Sequence, residues 1–320
     1  MRRVVLAAAA LLALVSSAAA QLSTPGRTIT MVVTVAAGGG TDAMARIVAE
    51  QLQERLKQPV VVENRVGGGG SLGASSVAKA APDGQTLLFL STSAAISKWL
   101  HKNVSFDVVE DFAYVARAVT MPVLLVAHPT VPANNIRELI AYAKLHPGGL
   151  SVGTPGVGSP HHLAAALMNT LAGIDITHVP YRGTGPALND LLGGQISLLW
   201  TAPPPIMPHV ASGKAKAMAV ASLQRLPDYP DVPTLDESGL PGFRVELWQG
   251  VAAPARTPPE LVARLQREMR QILEQPNVRQ HLEALGAIPD YADGAAFRKI
   301  VSDDHERFGK VIRDAHVTPN

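Results

Sequence analysis

The 320-residue sequence contains no cysteine, and this absence excludes a disulfide-stapled scaffold as well as a zinc or iron–sulfur site built on thiolates. Surplus charge is also scarce: 28 Lys and Arg stand against 26 Asp and Glu, and Arg2 and Arg3 account for the excess. A nucleic-acid-binding protein is expected to carry a basic surplus, so that class is set aside. Charged residues make up 17% of the chain and hydrophobic residues 47%, which excludes intrinsic disorder.

Long hydrophobic runs are missing after the first twenty residues. Those residues are typical of a secretory signal peptide, with a positive start at Arg2 and Arg3, an apolar run over 4–15 and small residues up to Ala20. The apolar run is shorter than the roughly 20 residues that span a bilayer, which favours cleavage over a retained membrane anchor. Residues 1–20 are therefore predicted to be removed, leaving an exported, periplasmic protein.

Strand-like and helix-like segments alternate along the rest of the chain. Residues 29–35 form a β-branched run, and residues 41–57 carry apolar side chains at helical spacing. The C-terminal third is predicted to be mostly helical, with an amphipathic helix over 258–274. This alternation predicts an α/β fold in which mostly parallel sheets are covered by helices.

A glycine-rich turn, residues 36–42 (AAGGGTD), lies between the first predicted strand and an amphipathic helix. The backbone N–H groups of such a turn and the positive end of the helix can bind a carboxylate or phosphate without any cationic side chain. The alternative is a structural turn in which Thr41 or Asp42 caps the helix. Asp42 and Arg46 are four residues apart and are expected to form a surface pair.

A second glycine-rich turn, residues 153–159 (GTPGVGS), repeats this arrangement and adds the hydroxyl groups of Thr154 and Ser159. Its alternative is again structural, with Ser159 as the helix N-cap. Two such turns facing one cleft would hold a small anion from both sides. A third glycine run, residues 68–73, fits the dinucleotide pattern G-x-G-x-x-G, but the acidic residue that this site needs about 20 residues later is absent.

Metal-binding and catalytic motifs are not recognisable. His161 and His162 are adjacent, so on a helix they point about 100° apart and cannot chelate one ion from one face. Helix capping or core hydrogen bonding is the expected role of His161. Ser159 lacks the flanking glycine of a nucleophile elbow, and no nucleophile is paired with a base. The sequence therefore predicts neither an enzyme nor a metal or cofactor.

Eight motifs in order resemble the Bug family, the exported solute-binding proteins of tripartite tricarboxylate transporters. They lie at residues 36–46 (AAGGGTDAMAR), 60–73 (VVVENRVGGGGSLG), 81–89 (APDGQTLLF), 106–115 (FDVVEDFAYV), 153–164 (GTPGVGSPHHLA), 178–196 (HVPYRGTGPALNDLLGGQI), 230–243 (PDVPTLDESGLPGF) and 247–258 (LWQGVAAPARTP). The resemblance covers essentially the whole chain after residue 20. Each motif is weak alone, but eight at family-like spacing are highly specific.

The resemblance implies a two-lobed periplasmic binding protein of type II, whose lobes close on a ligand like a hinged trap. Each lobe is expected to be a central, mostly parallel sheet flanked by helices. Lobe 1 would comprise residues 21–121 and 229–320, and lobe 2 residues 122–228. Pro- and Gly-rich segments at 120–122 and 226–233 agree with two crossings of the chain between the lobes.

A ligand-binding cleft between the lobes follows from the resemblance, with neutral donors and helix N-termini in place of a cationic clamp. The candidate residues of lobe 1 are Ala37, Gly38, Gly39, Gly40, Thr41, Asp42, Ser91, Thr92 and Ser93. Those of lobe 2 are Thr154, Gly156, Gly158, Ser159, His161, Tyr181, Arg182, Gly183, Trp200 and Thr201. Trp200 is expected either to wall the cleft or to pack in the core, and the same alternatives hold for Trp248.

The predicted function is capture of a small organic carboxylate by a monomer that delivers it to the membrane components of a tripartite transporter. A sensor component that presents its loaded form to a membrane kinase is an alternative, and an enzyme on the same fold is a third. The carrier and the sensor would use the same residues, so the sequence does not separate those two, nor does it identify the carboxylate.

Overall fold

The computed structural model describes residues 27–318, so the predicted signal peptide lies outside the described residues. Within 27–318, no helix combines the length and the apolar character needed to cross a bilayer. The strands are β1 (Ile29–Val33), β2 (Val60–Asn64), β3 (Thr86–Ser91), β4 (Phe112–Pro122), β5 (Leu124–Ala127), β6 (Ser151–Thr154), β7 (Thr177–Pro180), β8 (Leu198–Thr201), β9 (Lys216–Val220), β10 (Glu246–Pro254) and β11 (Ile288–Asp293). The helices are α1 (Gly40–Leu56), α2 (Ser71–Ala78), α3 (Thr92–Leu100), α4 (Ile136–Leu145), α5 (Pro160–Ala172), α6 (Thr184–Leu192), α7 (Pro203–Ala211), α8 (Pro259–Leu273), α9 (Pro276–Ala284) and α10 (Gly294–Asp314).

Two sheets organise the fold. A six-stranded sheet has the order β11-β4-β10-β3-β1-β2, and a five-stranded sheet has the order β7-β6-β8-β5-β9. We use lobe 1 for the six-stranded sheet with its helices and lobe 2 for the five-stranded sheet with its helices. The predicted two-lobed α/β architecture is confirmed.

Both sheets are mixed, where the prediction had them mostly parallel. Strand β1 is parallel to β2 and β3, and β6 is parallel to β7 and β8. Strand β10 is antiparallel to β3 and β4, β11 is antiparallel to β4, and β5 is antiparallel to β8 and β9. The βα alternation describes the parallel part of each sheet, and the strands nearest the crossings between the lobes run the other way.

The chain crosses between the sheets at two adjacent places. Strand β4 ends at Pro122 and β5 begins two residues later, and on the return Glu246 of β10 pairs with Pro122. The segment before this return belongs to the core of lobe 2 through Leu235, Leu240 and Phe243. The predicted lobe boundaries at 121 and 228 remain a proposal, and these contacts favour moving the second one to Val245.

Helix α10 packs on both lobes. Near its start, Phe297 and Val301 lie in a core of lobe 1. Near its end, Phe308 and Ile312 lie in the core of lobe 2. Between them Gly309 faces helix α3 so closely that a Cβ there would overlap the indole ring of Trp99. Both the crossing strands and this helix therefore connect the two lobes.

In each lobe, the predicted glycine turn and a second predicted segment lie at the same edge of the sheet. In lobe 1, β1 and β3 are parallel, so the segments after Val33 and Ser91 leave the same edge of the sheet. In lobe 2, β6 and β8 are parallel, so the segments after Thr154 and Thr201 also share an edge. Ligands of open α/β sheets bind outside the carboxyl ends of such strands.

Candidate functional site

A cavity of about 340 Å³ lies between helix α3 of lobe 1 and the loop that follows β6 in lobe 2. Its walls are Gly69, Ser93, Ile96, Ser97, Leu100, His101 and residues 155–159. A larger cavity of about 630 Å³ lies between α5, β7 and residues 315–318, away from the glycine turn of lobe 1. The smaller cavity draws on both lobes and contains four of the predicted residues (Ser93, Gly156, Gly158 and Ser159), so it is the candidate ligand site.

The first glycine turn leads directly into helix α1. The N-cap is Gly39, with no side-chain capping bond, so the expectation that Thr41 or Asp42 caps this helix is wrong. Residues 36–40 are exposed, and the free N–H groups of the first helical turn face outward at the positive end of the helix dipole. This arrangement suits an incoming carboxylate oxygen.

Asp42 stabilises this turn through hydrogen bonds to its buried carboxylate. Its carboxylate is buried and accepts hydrogen bonds from Gly38 N at 2.9 Å, Arg46 Nε at 3.0 Å and Asn64 Nδ2 at 2.9 Å. Arg46 foremost, together with these backbone and amide donors, lowers the pKa of Asp42 to about 2 against the opposing effect of burial. The expected pair with Arg46 is therefore present, and both carboxylate oxygens are engaged within the protein.

Thr41 is held by a residue that the sequence analysis missed. Gln249 Nε2 donates to Thr41 Oγ1 at 2.9 Å, and Gln249 is 3% exposed, with no hydrogen-bond partner for its Oε1 among the described residues. Because Thr41 Oγ1 accepts this bond, its own proton is left for an acceptor outside. The sequence feature that could have identified Gln249 is a single amide side chain in the middle of the otherwise apolar strand ELWQGVAAP.

Ser91, Thr92 and Ser93 have three different surroundings. Ser91 ends β3 and precedes α3 as its N-cap. The hydroxyl of Thr92 is buried, accepting from Trp248 N at 2.8 Å and donating to Trp248 O at 3.2 Å, so it ties α3 to β10. Ser93 lines the cavity. Of the three, Ser93 is the residue placed to meet a ligand.

The second glycine turn is stabilised by its own side chains. Ser159 is the N-cap of α5, as predicted, accepting from His162 N at 3.2 Å and donating to Gly156 O at 2.8 Å. Thr154 is fully buried, with its Oγ1 2.6 Å from His178 Nε2. At Gly158 a Cβ would overlap Leu100 of lobe 1, so this turn is where the lobes touch.

Three histidines surround this turn. The Nδ1 atom of His162 accepts from Gly158 N at 3.0 Å, and its ring stacks on His178 with centroids 3.8 Å apart. Burial, and secondarily His162, lower the pKa of His178 to about 4. His161 is half-buried, burial lowers its pKa to about 4, and no hydrogen bond joins its ring to any of residues 27–318. Burial also lowers the pKa of His162, so the neutral form of all three rings predominates at pH 7. His161 neither caps the helix nor bonds in the core.

The corner at 181–183 adjoins the second turn through the backbone. Tyr181 N donates to Thr154 O at 2.9 Å, and Gly183 N donates to Pro155 O at 3.3 Å. The Tyr181 hydroxyl donates to Asp190 Oδ2 at 2.7 Å, so it is already engaged. Arg182 is exposed, and none of residues 27–318 forms an ion pair with it.

Trp200 and Thr201 lie in the interior of lobe 2. Trp200 is 1% exposed and stacks on Phe243 with ring centroids 6.0 Å apart, while Thr201 donates to Ala202 O at 3.2 Å. Trp248 is equally buried, and its Nε1 donates to Asp304 Oδ2 at 2.8 Å. These contacts favour the core-packing alternative for both tryptophans.

The expectation that the chain has no recognisable catalytic motif is wrong for residues 69–73 (GGSLG), which have the G-x-S-x-G spacing of a hydrolase nucleophile elbow. The serine, Ser71, begins α2 with a φ of −66°, an ordinary helical value. No hydrogen bond joins its hydroxyl to a histidine or an acidic residue among residues 27–318. The pattern therefore does not build a catalytic nucleophile here.

The comparisons with known proteins agree with this geometry. The family model of the tripartite tricarboxylate transporter family receptor matches residues 44–317. Protein BugT of Bordetella pertussis is 37% identical over 292 residues, which cover 91% of this chain and 90% of BugT. The solved structure of R. palustris Rpa4515 with adipate is 32% identical, has a TM-score of 0.77 and covers 93% of this chain and 100% of its own. MatC of Rhodopseudomonas palustris with bound malate is 37% identical, with a TM-score of 0.74 and coverage of 90% and 99%.

Proposed function

The chain belongs to the tripartite tricarboxylate transporter family receptors, and on this premise we propose that it binds a small organic carboxylate in the cleft between its lobes. The family is one of periplasmic solute-binding receptors. Loaded receptor would then dock on the membrane components of a tripartite transporter, after export of the chain to the periplasm. The adipate and malate bound by two relatives support a carboxylate as the ligand.

The observation that carries the proposal is a cavity between the lobes whose lining contains no Lys, Arg, Asp or Glu, while the exposed turn before α1 leaves the same edge of the lobe 1 sheet as the segment that supplies Ser93. Gln249 links the first glycine turn to β3: it bonds Thr41 and pairs with Ser91, which lies two residues before Ser93 of the cavity wall. Thr34, which follows β1 and precedes this turn, lies close to the glycine run that contributes Gly69 to the cavity: a Cβ at Gly70 would be 3.1 Å from Thr34 Oγ1. Helix N-terminal N–H groups and hydroxyls can neutralise a carboxylate there without a lysine or arginine.

A thermal-shift screen against carboxylates tests this function. The protein is unfolded and refolded first, so that any ligand carried from the host is removed. A true ligand at about 1,000 times its dissociation constant raises the free energy of unfolding by roughly 4 kcal/mol, and this raises the melting midpoint by several degrees. A well-folded protein that responds to no carboxylate would refute the proposal.

A double variant locates the site. Gly39→Val with Thr41→Ala should abolish binding, because valine covers the N–H groups of the first turn and alanine removes the hydroxyl. The fold should survive, since Gly39 has a φ of −79° and a Cβ there meets only Ala36 O at 3.7 Å. Thr170→Ala, at an exposed threonine of α5, is the matched control. Unchanged affinity in the double variant would refute the placement of the carboxylate.

A further inference from the structure

The hydroxyl groups along the cavity wall leave few free donors. Ser97 Oγ donates to Ala94 O at 3.0 Å, and Ser159 Oγ donates to Gly156 O at 2.8 Å. The N–H of Gly158 is likewise taken by His162. A ligand group that reaches this part of the cavity therefore finds little that can donate to it from these residues.

Besides Ser93, His101 is the exception. It is the C-cap of α3, is half-buried, and lines the cavity together with Gly69 on the side of lobe 1. No hydrogen bond joins its ring to any of residues 27–318, so the hydrogen-bonding capacity of the imidazole is not used within the described protein. Among the described residues that line the cavity, His101 is the only one with an ionisable side chain.

Its position is fixed by a glycine. Gly69 has a φ of +63°, and a Cβ at this residue would lie 2.6 Å from His101 Nε2. Only glycine both adopts this left-handed backbone without strain and lets the imidazole approach so closely. The turn at 67–70 carries no charge, residues 155–159 opposite carry none, and Lys98 one turn earlier on α3 pairs with Asp107 at 3.0 Å.

We propose that His101, seated against Gly69, is the specificity-determining residue of the cleft: it hydrogen-bonds the polar group at the far end of the bound carboxylate. A ligand that ends in a second carboxylate gains this bond, whereas one of equal length that ends in a methyl group leaves the imidazole unpaired. The inference rests on the proposed function, because it assumes that the first carboxylate sits at the glycine turns.

Calorimetric titration with matched ligand pairs tests the role of His101. The refolded protein is titrated with succinate and butyrate, and with adipate and hexanoate, since the members of each pair differ only at one end. His101→Ala should lower the affinity for the diacid by about 10- to 100-fold, the range for losing a hydrogen bond to a charged group. The affinity for the monoacid should change by less than about 3-fold, within the scatter of surface substitutions.

Three further variants complete the design. His101→Gln keeps a neutral donor and should give an intermediate loss. Gly69→Ala leaves His101 in place but displaces its ring, and should reduce the preference for the diacid in the same direction. His281→Gln, at an exposed histidine of α9, is the matched control and should change nothing. Circular dichroism of each variant establishes that it is folded.

The outcomes separate the two proposals. If the wild-type protein binds carboxylates but His101→Ala and Gly69→Ala leave the ratio of diacid to monoacid affinity unchanged, the role of His101 is overturned and the carrier function stands. Equal weakening of both ligands would also overturn it, because a merely structural role acts on both. If the wild-type protein binds none of a broad carboxylate panel, the carrier function itself falls.

Discussion

Replacing Gly158 with alanine should weaken ligand binding more than the fold. Gly158 lies in the turn of lobe 2 with a φ of +73°, and a Cβ there would overlap Leu100 Cδ1 while lying 3.7 Å from Leu100 Cγ. Leu100 belongs to α3 of lobe 1, so the added methyl group obstructs the contact between the lobes. A ligand held by both lobes needs that contact.

Two costs of Gly158→Ala appear in different measurements. The left-handed backbone costs about 1–2 kcal/mol for alanine in any arrangement of the lobes, so it lowers the free energy of unfolding. The overlap with Leu100 costs about 1–3 kcal/mol only where the lobes touch. That second cost lowers affinity by about 5- to 150-fold.

The assay is a double-mutant cycle read by calorimetry, with thermal melts in the absence of ligand. Leu100→Val removes the obstructing Cδ1 and keeps carbon atoms near the Cγ position, so the pair Gly158→Ala with Leu100→Val should recover most of the lost affinity. The loss of stability from the backbone should persist in the pair. An affinity that is unchanged in Gly158→Ala, or that Leu100→Val does not recover, refutes the reasoning.

Two predictions concern stability. Asp42→Asn should cost about 1–3 kcal/mol at pH 7, because a buried acceptor loses charge-assisted bonds. The native pKa of Asp42, about 2, lies below its ordinary value of 3.8, so the stability lost in Asp42→Asn should shrink as pH falls from 4 towards 2. Urea unfolding of both proteins at pH 7 and pH 3 measures this loss, and an equal loss at both pH values contradicts the prediction. Gly309→Ala should lower the melting midpoint, although the same change normally stabilises a helix by about 1 kcal/mol, because its Cβ overlaps Trp99; a raised midpoint contradicts this.

Much of the fold could be predicted from local pattern. The β-branched run at 29–35 is strand β1, and the helical spacings over 41–57 and 258–274 are helices α1 and α8. Two of the antiparallel strands, β4 and β10, were not predicted. No residue of β4 or β10 is exposed, so neither strand shows the alternation of apolar and polar residues that identifies a half-buried strand.

The candidate site also has a part that could be predicted from local sequence and a part that could not. Both glycine turns were predicted, because glycine runs before an amphipathic helix have a local meaning. The cap at Ser159 was predicted and found, whereas Gly39 took the place expected for Thr41 or Asp42, since Asp42 is drawn inward by Arg46 and Asn64. The sequence around Gln249 and His101 contains no local pattern that distinguishes a side chain near the cleft from one elsewhere.

The eight motifs indicated the family. Local pattern indicated the βα alternation and the two turns, because periodicity and backbone freedom are properties of neighbouring residues. The tertiary structure decided which strands run antiparallel and which side chains share the cleft. Gln249 bonds Thr41 across 208 residues, and His101 meets Gly69 through the packing of α3 on the glycine turn. Such contacts depend on how the elements pack together, and spacing along a single chain does not encode them.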